Sequence, residues 1–146
     1  EIFEEKAISL KELGLEKIKE KVTFMQGDAC NLKDIYTCFD LIFCSNLIDR
    51  LYYPQKFLDD IPSRINKDGL LVLLSPYTWL EDYTPKENWL GGYIKDNKEV
   101  KTLDTLKENL LVDFELLETI DVPFVIKETS RKYQHTISQM SIWKKK

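Results

Sequence analysis

The sequence predicts an α/β fold with a mostly parallel sheet and a terminal antiparallel strand. Two runs of strand length, residues 39–44 and 70–74, are almost continuously apolar, which is typical of parallel strands that helices cover on both faces. A helical pattern lies between them, and strands and helices in alternation imply a right-handed crossover. Residues 114–118 and 137–143 alternate as an antiparallel pair does. With 146 residues, we expect one domain over 1–146.

Before the first apolar run, the chain carries a helical pattern and then a β-rich one. Apolar residues at three- and four-residue spacing predict an amphipathic helix over 2–13, and Gly14 follows where a helix would end. Residues 22–25 favour a strand that ends at Gly27 and Asp28. That strand would deliver an acidic side chain to a loop.

Between the two apolar runs, a helix is predicted to begin around Pro54, since proline is favoured in a first helical turn. Pro62 should shorten this helix, and residues 66–69 favour a turn before the next strand. The expected buried face consists of Phe57, Leu58, Ile61 and Ile65.

Residues 81–100 show little periodicity and contain Pro85, Gly91 and Gly92, so we expect a long insertion or lid. Thr102 is suited to cap the helix that follows. The apolar face of that helix would be Leu103, Leu106 and Leu110.

The composition indicates a folded protein and argues against several partners. Apolar residues make up 43% and charged residues 32%, which is a globular balance. The net charge is -4 with both signs interspersed, so neither nucleic acid nor a membrane surface is favoured as a partner. No stretch has the length of a membrane span, and residues 1–6 lack a signal-peptide pattern, so we expect a cytoplasmic protein.

The cysteine and histidine content predicts neither disulfides nor a metal site. Cys30, Cys38 and Cys44 form no Cys-x-x-Cys pair and are interpreted as reduced thiols that pack as small apolar residues. His135 is the only histidine, so a centre with two or three histidine ligands cannot be assembled from this chain.

Ligands of parallel sheets bind at the carboxyl ends of the strands, so the informative loops are those after Gly27, Cys44 and Ser75. The motifs around the strands are Val22-x-Phe24-x-x-Gly27-Asp28-Ala29, Phe39-Asp40-Leu41-Ile42 and Asn66-Lys67-Asp68-Gly69-Leu70-Leu71-Val72. In this order and spacing they resemble the second half of class I S-adenosylmethionine-dependent methyltransferases.

Longer loop motifs support a narrower resemblance. They are Gln26-Gly27-Asp28-Ala29-Cys30-Asn31-Leu32, Ser45-Asn46-Leu47-Ile48-Asp49-Arg50-Leu51, Ser75-Pro76-Tyr77-Thr78-Trp79-Leu80-Glu81, Thr84-Pro85-Lys86-Glu87-Asn88-Trp89-Leu90-Gly91-Gly92 and Gln134-His135-Thr136. Over residues 15–143 they look like the methyltransferase domain of ovothiol biosynthesis, which acts on an imidazole nitrogen of 5-thiohistidine. The resemblance implies S-adenosylmethionine as cofactor and 5-thiohistidine as substrate. It also implies a possible upstream partner, an iron-dependent sulfoxide synthase domain, because such domains are often fused.

Two features of class I methyltransferases are absent from the sequence. The family has a first strand followed by a Gly-x-Gly loop for the methionine part of the cofactor, and a second strand whose acidic end binds the ribose. The five glycines form no Gly-x-Gly. The resemblance therefore implies a Rossmann-like sheet without the first two family strands, in which the strand at Val22 is cut off from that at Leu41. We expect a carboxyl-terminal part of the domain, or a chain whose N-terminal half is supplied elsewhere.

The resemblance implies a cofactor role for two loops. Asp28 would accept a hydrogen bond from the exocyclic amine of adenine while the Ala29 amide faces a ring nitrogen, the alternative being an aspartate that caps its own loop. Asn46 and Leu47 would touch the cofactor, and Asn46 has an amide that suits cofactor or substrate. The alternative for Asn46 is a turn asparagine.

Substrate binding is expected in the same loops. Asp49 and Arg50 would hold the ammonium and carboxylate of an amino acid, although a surface ion pair is the alternative. Tyr77, Trp79 and Trp89 would wall a pocket for a flat imidazole and screen the sulfonium methyl by cation–π contact, although core packing is the alternative.

Tyr77 and His135 are the candidate catalytic residues, with Arg131 as a carboxylate clamp. Histidine titrates near neutrality and could act as a base. Methylation of an imidazole nitrogen requires proton loss only after transfer, so positioning could supply most of the rate. A structural histidine on a strand is the alternative reading of His135.

Two other functions stay open. The chain could be a non-catalytic remnant that stabilises a larger enzyme through the apolar edge left by the missing strands. It could also be a methyltransferase for another small molecule, which would differ in the pocket around Tyr77 and Trp89.

Overall fold

The computed structural model describes residues 5–146. Its regular elements, in chain order, are β1 (Phe39–Ser45), α1 (Pro54–Asp60), β2 (Ile65–Ser75), β3 (Tyr93–Lys95), β4 (Lys98–Val100), α2 (Thr102–Leu110), β5 (Phe114–Lys127) and β6 (Tyr133–Lys145). Four short 3₁₀ turns accompany them, at Glu16–Lys21, Ile48–Arg50, Ile61–Ser63 and Lys86–Asn88.

The centre of the fold is a four-stranded sheet in the order β1-β2-β6-β5. Strands β1 and β2 are parallel, whereas β6 is antiparallel to both of its neighbours. The predicted α/β class is confirmed. Within residues 5–146 the sheet is mixed rather than mostly parallel, because residues 22–25 join no strand and β5 returns directly into β6 as a long hairpin.

The segment before β1 departs from the prediction. The helix expected over 2–13 is absent from residues 5–13, which form no regular structure up to a turn at residues 10–14, and residues 1–4 lie outside the described part. Residues 22–25 form no strand, and Phe24 is 93% exposed. Short helices and single strands need a packing surface or a partner strand. Within the described chain this segment has neither.

The crossover between β1 and β2 follows the sequence closely. Helix α1 begins at Pro54 and ends at Asp60, and a 3₁₀ turn that contains Pro62 follows, as the proline predicted. The predicted turn at 66–69 is instead the first part of β2, where Asp68 takes a positive φ of 64°. The apolar side chains predicted to be buried are so: Phe57, Leu58, Ile61 and Ile65.

The core lies where α1 and α2 pack on the sheet. Leu71 of β2, Leu106 and Leu110 of α2, and Trp143 of β6 are fully buried members of one cluster. Leu103 packs against the same cluster, so the predicted face of α2 is correct. No helix among the described residues has the length and apolar character needed to cross a membrane.

Only one face of β1 is covered. Ile42 and Cys44 point to the core, whereas Phe39, Leu41 and Phe43 are exposed on the other face. The apolar run predicted a strand buried on both faces, and this expectation is wrong for the described chain. Strand β1 is also the edge of the sheet, so its outer hydrogen-bonding groups have no strand partner among residues 5–146.

Two further expectations need correction. Thr102 is the first residue of α2, and the cap position is Lys101, which makes no side-chain cap hydrogen bond. The Thr102 hydroxyl instead accepts a hydrogen bond from the Trp79 indole at 3.0 Å. Cys38 is exposed, whereas Cys30 and Cys44 are buried as predicted. Burial raises the pKa of Cys44 to about 11.

The stretch from residue 81 to residue 100, predicted to be a long insertion or lid, contains regular structure. It contains the hairpin of β3 and β4, whose turn residues Asp96 and Asn97 have φ values of 50° and 60°. Two positive φ angles are typical of a type I′ hairpin turn. Gly91 packs so closely on the Thr102 backbone that a Cβ atom would collide with it, which anchors the stretch on α2.

Candidate functional site

The loops that follow β1 and β2 lie side by side at one edge of the sheet. The parallel register pairs Ser45 with Leu74, and the Asn46 amide donates to the Leu74 carbonyl at 2.6 Å. The carboxyl ends of the two parallel strands therefore meet, as their order in the sequence predicted.

A buried carboxylate joins the two loops. Asp49 is 1% exposed, and its Oδ2 accepts from Arg50 Nη1 at 3.0 Å, from the Thr78 amide at 3.0 Å and from the Thr78 hydroxyl at 3.1 Å. The other oxygen, Oδ1, is buried and has no hydrogen-bond partner among the described residues. Because an unsatisfied buried carboxylate oxygen is costly, a donor placed beside Oδ1 would be favourable.

The Arg50 guanidinium donates most of its hydrogen bonds to Asp49 and Thr78, and the three residues are called the Asp49 unit below. Nη1 also donates to the carbonyls of Asp49 and Thr78, both at 2.8 Å, while Nη2 donates to the Thr78 hydroxyl at 3.1 Å. The guanidinium lies over the Tyr83 ring, with Cζ 5.2 Å from its centroid. Nη2 carries two hydrogens and makes one of these bonds, so it has spare donor capacity.

Strand β6 forms the neighbouring wall. The buried Ser138 hydroxyl donates to Asn46 Oδ1 at 3.0 Å, and the Tyr77 hydroxyl donates to Gln139 Oε1 at 3.3 Å. Asn46 and Tyr77 have φ values of 51° and 53°, and strained backbone of this kind clusters at functional sites. Burial, and then the negative charge of Asp49, raise the pKa of Tyr77 to about 12. Tyr77 therefore stays protonated at neutral pH and acts as a donor rather than as a base.

The two tryptophans form a partly stacked pair. Their ring centroids are 6.5 Å apart with an interplanar angle of 25°. Trp79 is buried in the core and bonded to Thr102, whereas Trp89 is half-buried and its indole donates to the Thr84 carbonyl at 2.8 Å. Trp79 thus follows the core-packing alternative, and Trp89 keeps a partly exposed ring.

Asp28 lies in a separate pocket that is tied to the loop after β1. Its Oδ1 accepts from the Cys30 amide at 2.9 Å, and its Oδ2 accepts from the Tyr52 hydroxyl at 3.2 Å. Loss of hydration and the Asp28 charge raise the pKa of Tyr52. The pocket has a volume of about 340 Å³, and its lining residues are Gln26, Gly27, Asp28, Asn31, Leu32, Lys33 and Tyr36.

Ala29 and Leu47 lie on the inner side of these loops. Both are half-buried and pack against the core cluster. The Leu47 carbonyl accepts from the Arg50 amide at 2.9 Å, which closes the 3₁₀ turn that presents Asp49. Their side chains support the loops that carry Asp28 and Asn46.

The structure does not bring His135 and Arg131 to this cluster. Both are exposed, and Arg131 lies in the turn between β5 and β6. The pairing of β2 with β6 ends at Gln139, and the hairpin of β5 and β6 continues beyond it. His135 lies in this continuation, where it pairs with Val125 of β5. With a rise of about 3.3 Å per residue, the His135 backbone lies about 10 Å along β6 from Ser138, the nearest residue of the cluster on that strand. This separation is much longer than a hydrogen bond.

The sequence patterns did not single out four polar residues that the structure places at the site. Thr78 links Asp49 to Arg50, Tyr52 contacts Asp28, and β6 contributes Ser138 and Gln139. Thr78 stands inside a quoted loop motif, so it carried a signal. Ser138 and Gln139 stand in an alternating pattern that is also typical of a strand with one solvated face. Only the pairing of β6 with β2 places these two residues at the site.

The chain belongs to the methyltransferase-domain family. The family model, described as a methyltransferase domain, matches residues 3–144. The fold and this match together place the chain in the class of methyltransferase domains.

Solved structures support the fold. One of 17 matching chains comes from work on the conversion of a disulfide bond into a thioacetal group during echinomycin biosynthesis. It is 10% identical with a TM-score of 0.58, and the comparison covers 92% of this chain and 62% of that chain. The present chain therefore spans less than two thirds of that neighbour, and the likeness concerns the fold alone. A comparison with curated proteins gave no significant match.

Proposed function

We propose that the chain forms part of an S-adenosylmethionine-dependent N-methyltransferase that acts on the imidazole of 5-thiohistidine. The observation that carries the proposal is the junction of the loops after β1 and β2, where Asp49, Arg50 and Thr78 form one hydrogen-bonded unit beside Tyr77. Family membership supplies methyl transfer as the reaction class. The choice of acceptor rests on the loop motifs quoted from the sequence.

The Asp28 pocket suits the nucleoside end of the cofactor. Its volume of about 340 Å³ lies within the roughly 300–1,000 Å³ of small-molecule sites. Each Asp28 oxygen accepts one bond from the protein, which leaves lone pairs for an exocyclic amine. When bound, S-adenosylmethionine supplies an electrophilic methyl group. Since the sequence has no Gly-x-Gly, we propose that the methionine part of the cofactor is held by an N-terminal half of the domain outside these 146 residues.

The Asp49 unit suits the amino acid end of the acceptor. A substrate ammonium would satisfy the orphan oxygen Oδ1, and a substrate carboxylate would bond to Nη2 of Arg50. Because Oδ1 is buried, the Thr78 segment must shift to admit the ammonium. The protonated Tyr77 hydroxyl, held by Gln139, would then orient the imidazole as a donor.

Positioning rather than proton abstraction supplies the rate in this proposal. Tyr77 is protonated at neutral pH, and His135 lies far along β6 from the cluster. The imidazole nitrogen would bond to the methyl carbon through its lone pair as the bond from that carbon to the sulfonium sulfur breaks, so that the cofactor would leave as the thioether S-adenosylhomocysteine. The imidazole N–H proton would pass to water afterwards. Correct orientation of two bound reactants can contribute about 7–11 kcal/mol to the lowering of a barrier.

The test uses the protein in the longest form in which the chain occurs, with S-adenosylmethionine and either 5-thiohistidine or histidine. We expect a methylated product from 5-thiohistidine, detected by mass spectrometry, and little from histidine. The Asp49→Asn variant should raise KM for 5-thiohistidine more than KM for the cofactor. If the protein methylates another small thiol or amine but not 5-thiohistidine, the acceptor is wrong.

The exposed edge of β1 favours a second candidate, a non-catalytic module that stabilises a larger assembly. Phe39, Leu41 and Phe43 form an apolar row on the uncovered face of this edge strand. Isothermal calorimetry with S-adenosylmethionine separates the candidates, since tight binding by the chain alone argues against the module.

A further inference from the structure

One buried arginine outside the Asp49 unit donates hydrogen bonds to residues that line the Asp28 pocket. Arg64 is 4% exposed and stands between α1 and β2, with its side chain directed to the segment before β1. Nη1 donates to the carbonyls of Lys33 at 2.8 Å and Tyr36 at 2.9 Å, and Nη2 donates to the Leu32 carbonyl at 3.0 Å. All three acceptors belong to residues that line the pocket.

The arrangement is more specific than a salt bridge. Nε of Arg64 bonds to the Asp60 carboxylate, so four of the five guanidinium hydrogens are used. The Arg64 carbonyl also accepts from the Phe39 amide at 3.0 Å, next to the start of β1. One residue therefore joins α1, the start of the sheet and the pocket segment.

The rest of the pocket segment has few other anchors. Cys30 is buried and its thiol donates to the Tyr53 carbonyl at 3.4 Å, which fixes the Asp28 end. Residues 16–27, which precede it, are exposed throughout. At the far end, residues 32–36, Leu32 and Tyr36 are half-buried, and the hydrogen bonds to the rest of the described chain come from the guanidinium of Arg64.

We infer that Arg64 is a positioning residue for ligand binding at the Asp28 pocket. It acts through the backbone of Leu32, Lys33 and Tyr36 and need not touch the ligand. This inference rests on the proposed function, because it takes the pocket as the nucleoside site. Lysine is a poor replacement, since a single ammonium cannot match three carbonyls and a carboxylate with the fixed geometry of a guanidinium.

The experiment compares Arg64→Lys, Arg64→Met and the control Lys56→Met in the longest form of the protein. Lys56 is an exposed residue of α1, so its replacement removes one positive charge from the same region. The probe is S-adenosylmethionine, measured by calorimetry and by steady-state kinetics. Misplacement of a positioned group by about 1 Å can lower a reaction rate by up to about 100-fold, and we expect an effect of similar size on cofactor binding. We expect a cofactor Kd and KM raised by about tenfold to 100-fold in both Arg64 variants.

A split between the kinetic parameters separates positioning from general stability. Positioning predicts a raised cofactor KM with kcat at saturating cofactor and acceptor KM nearly unchanged, together with faster amide exchange at residues 28–36. A purely structural role predicts a lower kcat with both KM values unchanged, and this result would overturn the inference.

If Arg64→Met does not fold, the Arg64→Lys variant decides the question, because the lysine charge still pairs with Asp60. If the wild-type protein binds no S-adenosylmethionine, the proposed function is wrong. If folded Arg64 variants bind S-adenosylmethionine with wild-type affinity, only the inference about Arg64 is wrong.

Discussion

The Asp49→Asn substitution tests the junction between the loops after β1 and β2. It removes a buried negative charge whose Oδ2 accepts three hydrogen bonds. Hydrogen bonds to charged groups contribute about 1.5–3 kcal/mol each, but an amide oxygen keeps part of this geometry. The partner Arg50 is 34% exposed, so its attraction is partly screened. We expect the free energy of unfolding to fall by about 1–3 kcal/mol, measured by urea denaturation.

The matched control is Asp68→Asn. Asp68 forms an ion pair with Lys144 at 2.8 Å, but both side chains are exposed. Such pairs contribute little, so the control should change stability by less than about 1 kcal/mol. Asparagine also tolerates the positive φ of 64° at this position. If Asp49→Asn is no more destabilising than Asp68→Asn, the Asp49 carboxylate does not anchor the loops as described.

Three further predictions concern the core and titration. Leu106→Ala should cost about 2–5 kcal/mol because the side chain is fully buried, whereas the exposed neighbour Leu111→Ala should cost about 0.5 kcal/mol or less in the same denaturation assay. At pH 8, a thiol reagent should label exposed Cys38 rapidly and leave Cys44, with its pKa of about 11, unlabelled until the chain unfolds; equal rates would contradict the buried position of Cys44. Because the pKa of Tyr77 is about 12 in the folded chain and near 10 in the unfolded chain, its contribution to stability is complete below pH 10 and is lost as the pH rises towards about 12. The Tyr77→Phe variant should therefore lose less stability than the wild type between pH 10 and pH 12, measured by urea denaturation at each pH. An identical pH profile for the two proteins would refute this.

Local signals predicted the central elements well. Pro54 and Pro62 bound α1 because proline suits a first helical turn and cannot continue a helix interior. The two apolar runs predicted β1 and β2. The helix between the two runs predicted a crossover connection and therefore a parallel pair of strands, as the structure has it. The adjacency of the loops around Asn46 and Tyr77 followed from that topology.

The same local reasoning failed where a segment depends on a partner. The patterns over residues 2–13 and 22–25 are those of a helix and a strand, yet the described part of both is irregular or unpaired. An amphipathic face stabilises a helix only when another surface covers it. The exposed side chains of Ile8, Leu10 and Phe24 show that no such surface is provided by the described residues.

The sequence by itself determined the α/β class, the crossover through α1, the buried faces of both helices and the motifs that indicate a methyltransferase domain. These depend on local periodicity and turn chemistry, which neighbouring residues set. Only the tertiary structure decided which polar groups meet: it placed Ser138 and Gln139 beside Asn46 and Tyr77, left His135 far along β6, and directed Arg64 to the pocket segment. The physical reason is that strand register and side-chain reach bring together residues up to 92 positions apart, and no local pattern encodes such a distance.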